Sequence, residues 1–245
     1  MPIHQFPDEQ IGRYALKKSS RRKSTKQFLY LGSSYMMSCG VTYNDSLHSV
    51  MVGVGGLDNC CTIYQCDTTS LGVIALPKVP LTTVSRYGYI SAIDFVEGTN
   101  LVVMGAGDGI LSVYDYVSDR EFLKLQADSE IVGVAHYLRD EHTMIIAHCG
   151  TLGVVHIDTV QIGSDDEELS VIHRQKVEVL TDSTVDINCI AISPGMESVD
   201  SGKYIVCGLE GAQIVVLRER DNKYEVVVRE DTAAQHAVVC CCWVD

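Results

Sequence analysis

The sequence contains no apolar run approaching the roughly 18 residues of a membrane-spanning helix, and its opening MPIHQFPDEQ lacks the apolar core of a secretory signal. Both absences lead to the expectation of a soluble, cytoplasmic protein. Charged residues are scarce at 21% against 46% hydrophobic ones, a balance that excludes a mostly disordered chain. No long segment shows a 3.6-residue apolar period, so helices are not expected. Ten cysteines occur without one Cys-x-x-Cys pair. Cys60-Cys61 and Cys240-Cys241-Cys242 lie in alternating runs, where neighbours point to opposite faces and cannot converge on one metal ion. They read as reduced, buried, small hydrophobes. No metal and no cofactor is expected.

Positive charge is concentrated at one end. Residues 1–26 hold seven basic residues and two acidic ones, Asp8 and Glu9, so this segment carries +5 of a chain whose net charge is −13. The remainder is then −18, which argues against nucleic acid as a partner. The run KKSSRRKSTK has the composition of an acidic-lipid contact or a nuclear signal, weakened by phosphorylation of Ser19, Ser20 or Ser24. A solvated loop between strands is the preferred reading.

What the chain does contain is a repeated sentence. VMVGVGGLDNCCTIYQCD, residues 50–67, runs from an apolar stretch through a Gly-Gly turn and Asp58 into alternation. That order marks two strands joined by a tight turn. LVVMGAGDGILSVYD (101–115), MIIAHCGTLGVVHID (144–158) and YIVCGLEGAQIVVLR (204–218) repeat it. The spacings between turns, from 58 to 108 to 150 to 211, are 50, 42 and 61 residues. The last is stretched by the acidic segment SDDEELS at 164–170 and the insertion PGMESVDSGK. Units of four short strands at about 40–45 residues are the signature of propeller blades. HAVVCCCWVD begins one more strand.

SSYMMSC with GVGGLDNCCTIY, YGYISAIDF with GAGDGILSVYD, and VDINCIAIS resemble the second, third and fifth blades of the WD-repeat beta subunit of heterotrimeric G proteins. The resemblance covers about residues 27–245, with IGRYALKK in the basic 1–26 segment as a remnant of a first-blade strand. It implies an all-β fold: a WD40-type β-propeller, incomplete, with about four to five blades of a seven-bladed ring. The departures are specific. The Trp-Asp strand ending is Tyr114-Asp115 here, and Tyr64-Gln65, His156-Ile157 and Leu217-Arg218 elsewhere. The Gly-His opening is absent, with Ser85-Arg86-Tyr87-Gly88 in one such place. A truncated gene and a ring completed by a partner both remain open, since an open arc leaves two sheet edges unpaired.

The same resemblance implies an interface for a GTPase alpha subunit at Tyr35, Met37, Leu57, Asn59 and Tyr89, extended by Glu130, Asp186 and Glu210. Tyr35 stands where the family has Trp, and Glu130 and Glu210 where it has Asp. Asp58 and Asp108 are expected to hold their own turns through backbone amides. A gamma-like subunit is a further implied partner, although the family's N-terminal helix that pairs with it is missing. Membrane contact would come through such partners, at the inner face of the plasma membrane. Against an enzyme, the glycine turns at 53–56 and 105–107 lead into strands, not helices, so no helix N-terminus is there to hold a phosphate. His136, His142, His148 and Cys149 follow no metal-ligand spacing, and no Ser or Cys nucleophile has a motif around it. The leading expectation is therefore a G-protein beta-like signal transducer, with a WD-repeat scaffold lacking GTPase binding as the alternative.

Overall fold

The computed structural model describes residues 13–16, 27–30, 35–68, 74–75, 81–163, 169–179, 185–193, 203–231 and 236–242. The basic run with its three serines, most of the acidic 164–170 stretch and most of the 194–203 insertion lie outside the described residues. Strand β1 (Arg13–Leu16) pairs antiparallel with β2 (Gln27–Tyr30), Arg13 opposite Tyr30.

Four antiparallel sheets follow in chain order. The first holds β3 (Met36–Asn44), β4 (Ser49–Gly56), β5 (Cys60–Thr68) and β7 (Thr82–Ser85), with the short β6 (Ile74–Ala75) also pairing with β5. The second holds β8 (Ile90–Phe95), β9 (Leu101–Ala106), β10 (Ile110–Asp115) and β11 (Arg120–Gln126). The third holds β12 (Ile131–Asp140), β13 (Thr143–Gly150), β14 (Val154–Gln161) and β15 (Ser170–Glu178). The fourth holds β16 (Ile187–Ile192), β17 (Tyr204–Leu209), β18 (Gln213–Arg220) and β19 (Lys223–Asp231). Each is a meander whose spatial order follows the sequence, with a tight turn between the second and third strands of every sheet and others at β10–β11 and β18–β19. Asn59, Asp119, Asp221 and Asn222 take positive φ in those turns, a conformation that Asn and Asp tolerate better than other side-chain-bearing residues. Asp221 and Asn222 in succession give the twist-matched two-residue hairpin between β18 and β19.

The first strand of every sheet is irregular at the same place. One residue, Met37, Ser91, Val132 or Asn188, is skipped in the pairing with the second strand. Such a bulge bends the strand and increases its twist. The first strands β3, β8, β12 and β16 then pack successively against one another. Where they meet, the second strand carries a small residue. A Cβ on Gly55 would sit 2.5 Å from Ile90 Cγ2, and one on Gly105 would sit 2.4 Å from Ile131 Cγ2. Gly208 occupies the same register position in the fourth sheet, opposite Cys189 as Gly55 is opposite Ser38. Its missing Cβ would sit 2.4 Å from Val238 Cγ1. Residue 238 thus stands where Ile90 and Ile131 stand, and residues 236–242 lie on the fourth sheet as a succeeding first strand would.

Three apolar layers fill the spaces between sheets. Met51, Ile63, Ile90 and Met104 lie between the first and second, and Leu111, Val113, Ile131 and Ile146 between the second and third. Ile145, Ile157, Ile205 and Leu217 lie between the third and fourth. Each such side chain contributes about 1.5–3 kcal/mol by leaving water, more than an exposed ion pair does. Among the described residues there is no helix. Four successive antiparallel meanders in contact along their first strands are consistent with a β-propeller-like fold.

Candidate functional site

One end of the sheets carries two kinds of segment: the residues leading into each first strand, and the turn between the second and third strands. A repeated backbone hydrogen bond joins them. Leu57 N donates to Tyr35 O at 3.0 Å, Gly107 N to Tyr89 O at 2.8 Å, and Glu210 N to Asp186 O at 3.0 Å. In the third sheet the approach is as close, since a Cβ on Gly150 would fall 1.8 Å from Glu130 O. Tyr35 and Leu57, and likewise Asp186 and Glu210, are therefore held as pairs by the backbone.

Side chains then link neighbouring sheets across the same end. Tyr89 Oη donates to Glu130 Oε2 at 3.1 Å, tying the second sheet to the third. Burial, and then the Glu130 charge and hydrogen bond, raise the Tyr89 pKa, so the phenol keeps its proton as donor. Leu152 N donates to Asp186 Oδ1 at 3.3 Å, tying the third to the fourth. Asp58 Oδ1 accepts from Cys60 N at 3.3 Å and Asp108 Oδ1 from Ile110 N at 3.1 Å, so each carboxylate braces its own turn. Asn59 has a backbone duty as well: it sits at φ 62° and donates from Nδ2 to Tyr87 O at 3.2 Å.

The surface so formed is apolar and acidic. Tyr35 is 59% exposed, and Met37 and Leu57 are also open to solvent. Tyr89 is instead half-buried, its ring against Gly107. Two exposed apolar residues not anticipated from sequence share this end: Tyr87, at 91%, and Leu152. Tyr87 lies two residues before Tyr89 in RYGY, and Leu152 occupies the turn position held elsewhere by Asp58 and Asp108, which was the available signal. Leu152 adopts φ 87°, a conformation unfavourable for a branched side chain by about 1–3 kcal/mol. Around these lie Asp58, Asp108, Asp128, Glu130, Asp186 and Glu210, with Lys176 Nζ 3.5 Å from Asp128. No family model matches the chain, and no curated protein matches it. The case for this surface therefore rests on its own geometry.

Two other polar groupings serve the scaffold. Beside the first strands lies a cavity of about 810 Å³, lined among others by Asp94, His136, Tyr137, Lys203 and Cys241. Asp94 Oδ2 accepts from His136 N at 3.1 Å and is 2.6 Å from His136 Nδ1, joining β8 to β12. Within the third sheet, buried Asp158 is 3.3 Å from His148 Nε2 and 2.6 Å from Arg174 Nε. Burial works to raise the Asp158 pKa, but the hydrogen bonds and charges of His148 and Arg174 outweigh it and hold the carboxylate low. His148 stacks on His156 with ring centroids 5.0 Å apart. Among the described residues no three His, Cys, Asp or Glu side chains gather as a metal site.

Arg86, in the 85–88 stretch before β8, makes a further network. Arg86 donates to Ser112 Oγ at 3.0 Å and to Glu121 Oε1 at 2.5 Å. Thr82 and Tyr114 each donate to Asp119 Oδ1 at 2.6 Å. These bonds fasten the outer strand of the first sheet to the second.

Proposed function

We propose that this chain is a signal transducer like the G-protein beta subunit, which grips a GTPase alpha subunit through the turn end of its sheets. The observation that supports the reading is the gathering of Tyr35, Met37, Leu57, Asn59, Tyr89, Glu130, Asp186 and Glu210 at one end of four successive sheets. Exposed aromatic, Met and Leu side chains flanked by carboxylates suit a protein interface, with apolar anchors at its centre and charge at its rim. The fold would be a WD40-type propeller, its ring shared with partners or further blades. By covering the alpha subunit's mobile switch segments while GDP is bound, the face would hold the complex, and it would release when GTP reorders them. The test is capture of an alpha subunit loaded with GDP or with a GTP analogue. Preferential capture of the GDP form, lost on combining Tyr35→Ala with Leu57→Ala, is expected. Equal capture in both states refutes the mechanism.

A scaffold without GTPase binding is the second reading. The Arg86–Ser112–Glu121 and Thr82–Tyr114–Asp119 networks favour it, because they replace the hydrogen-bonding groups on which the resemblance to WD blades depends. A partner captured through the same face independently of nucleotide would support it.

A further inference from the structure

The cavity of about 810 Å³ runs along the first strands β8, β12 and β16, each of which stands at the free edge of its sheet. Its lining begins at Ile93, Val134 and Ile190, each four residues beyond Tyr89, Glu130 and Asp186 of the turn end. At about 3.3 Å per residue that is roughly 10 Å or more from the turn face, so the cavity is a separate place. Its volume lies within the range of about 300–1,000 Å³ usual for small-molecule sites. Val134, Ile190 and Ile192 give it apolar walls, and its ionisable side chains include Asp94, Glu97, His136 and Lys203.

The polar groups of this lining are unevenly satisfied. Asp94 Oδ2 takes both hydrogens that His136 offers, from N at 3.1 Å and from Nδ1 at 2.6 Å. A neutral ring that gives its Nδ1 hydrogen to Asp94 presents Nε2 as an acceptor. Neither His136 Nε2 nor Asp94 Oδ1 has a partner among the described residues, and neither is sealed from solvent. The His136 side chain is only 10% exposed, so the opening left to Nε2 is the cavity it lines. The donors are engaged elsewhere. Lys203 Nζ stands 5.0 Å from the centre of the Tyr137 ring, and burial lowers its pKa against the opposing pull of the Glu219 charge. Ser193 Oγ already accepts from Tyr204 N at 2.9 Å.

We propose that this cavity binds a small organic cation, a protonated amine or guanidinium on a short apolar stem, whose head donates to Asp94 Oδ1 and His136 Nε2. A head with several N–H bonds supplies a donor to each open acceptor and a charge opposite to that of Asp94, and such charge-assisted bonds are the stronger kind. Glu97, exposed just beyond β8, adds a second negative charge at the cavity. The stem lies against Val134, Ile190 and Ile192. A carboxylate or phosphate in the same place would face Asp94 and Glu97 with like charge and find its one cation at Lys203, among the described lining residues.

The experiment titrates the full chain with butylguanidinium by isothermal calorimetry, with butylurea as the neutral counterpart and valerate as the anionic one. Butylguanidinium is expected to bind about tenfold or more tightly than either. Asp94→Asn keeps the shape and removes the charge, and should weaken binding by a similar factor. Lys203→Met removes a like charge from the lining and should strengthen it severalfold. In the unsubstituted chain the His136 Nε2 resonance should shift on adding butylguanidinium, while the methyl signals of Leu57 and Leu152 at the turn end stay in place. That spectrum decides the matter even where Asp94→Asn fails to fold. A blocked Gly-Arg-Gly peptide separates the sources: tighter binding than butylguanidinium assigns the head group to a protein side chain, weaker binding to a free metabolite. Valerate binding that is lost in Lys203→Met overturns the proposal, as does butylguanidinium binding no tighter than butylurea with the His136 signal unmoved.

Discussion

Replacing Gly105 by alanine puts the packing between the second and third sheets to a quantitative test. The added Cβ would stand 2.4 Å from Ile131 Cγ2 and 3.1 Å from both Ile131 Cβ and Val134 Cγ1. Carbon atoms prefer about 3.5–4.0 Å, so the sheets must separate or Ile131 must leave its rotamer. Ile131 is 1% exposed and β-branched, with little freedom at χ1. Overpacking of this kind costs about 1–3 kcal/mol, and the upper half of that range is expected. Ile131→Ala alone creates a void costing about 2–5 kcal/mol. It also removes the Cγ2 atom in the way, so the double variant should be about 1–2 kcal/mol more stable than the sum of the single effects predicts. Gly98→Ala is the control: its φ is +72° with nothing within 4 Å, and only a backbone cost of about 1 kcal/mol is expected. Urea unfolding with unchanged m-values is the assay. If Gly105→Ala costs no more than Gly98→Ala, and adds independently to Ile131→Ala, the account of sheet packing is wrong.

Leu152→Gly relieves a positive-φ leucine at 87° and should stabilise the fold by about 1 kcal/mol, while weakening partner capture by the turn end; a variant that gains stability and keeps full capture would remove Leu152 from the interface. Burial, assisted by the neighbouring His148, lowers the His156 pKa from 6.5 to about 4, so the unfolded chain takes up this proton first as pH falls. The stability tied to the neutral ring is complete above about pH 6.5 and drains away towards pH 4. The full shift corresponds to about 3 kcal/mol, reduced to about 1–2 kcal/mol because the ring is half-exposed. Unfolding curves between those pH values should flatten in His156→Gln. Arg174→Ala removes the stronger partner of buried Asp158 and should cost about 2–3 kcal/mol, less than the ~3–5 kcal/mol of a fully enclosed pair, because Arg174 is 40% exposed and water can take its place; thermal unfolding measures it.

The turns were legible in the sequence because their chemistry is local. Asp58, Asp108, Asn59 and the glycines beside them announce positive-φ corners, and alternation on either side announces strands. Tyr35, Leu57, Asp186 and Glu210 were singled out by the resemblance, and the backbone bonds that pair Tyr35 with Leu57 and Asp186 with Glu210 recur with the repeat. Contacts between units were not legible. The fit of Ile131 against Gly105 depends on a bulge at Ser91 that no local composition marks. Asp94 and His136 are 42 residues apart, the same spacing as the turns at 108 and 150, yet nothing near either residue names its partner. The three adjacent cysteines of the tail read as alternating hydrophobes, and only the placement of the tail on the fourth sheet turns the Cys241 thiol towards Val206 O.

The bulge that recurs in β3, β8, β12 and β16 has a consequence for how the molecule comes apart. Each inner sheet has its principal contacts with the sheets before and after it in the chain and each outer one with a single neighbouring sheet, so its free energy is chiefly its own plus that of two seams or one. Loss of one seam need not dissolve the others. Heat or denaturant should therefore peel the outermost meanders first, and amide exchange in β9 and β13 should outlast that in β4 and β18.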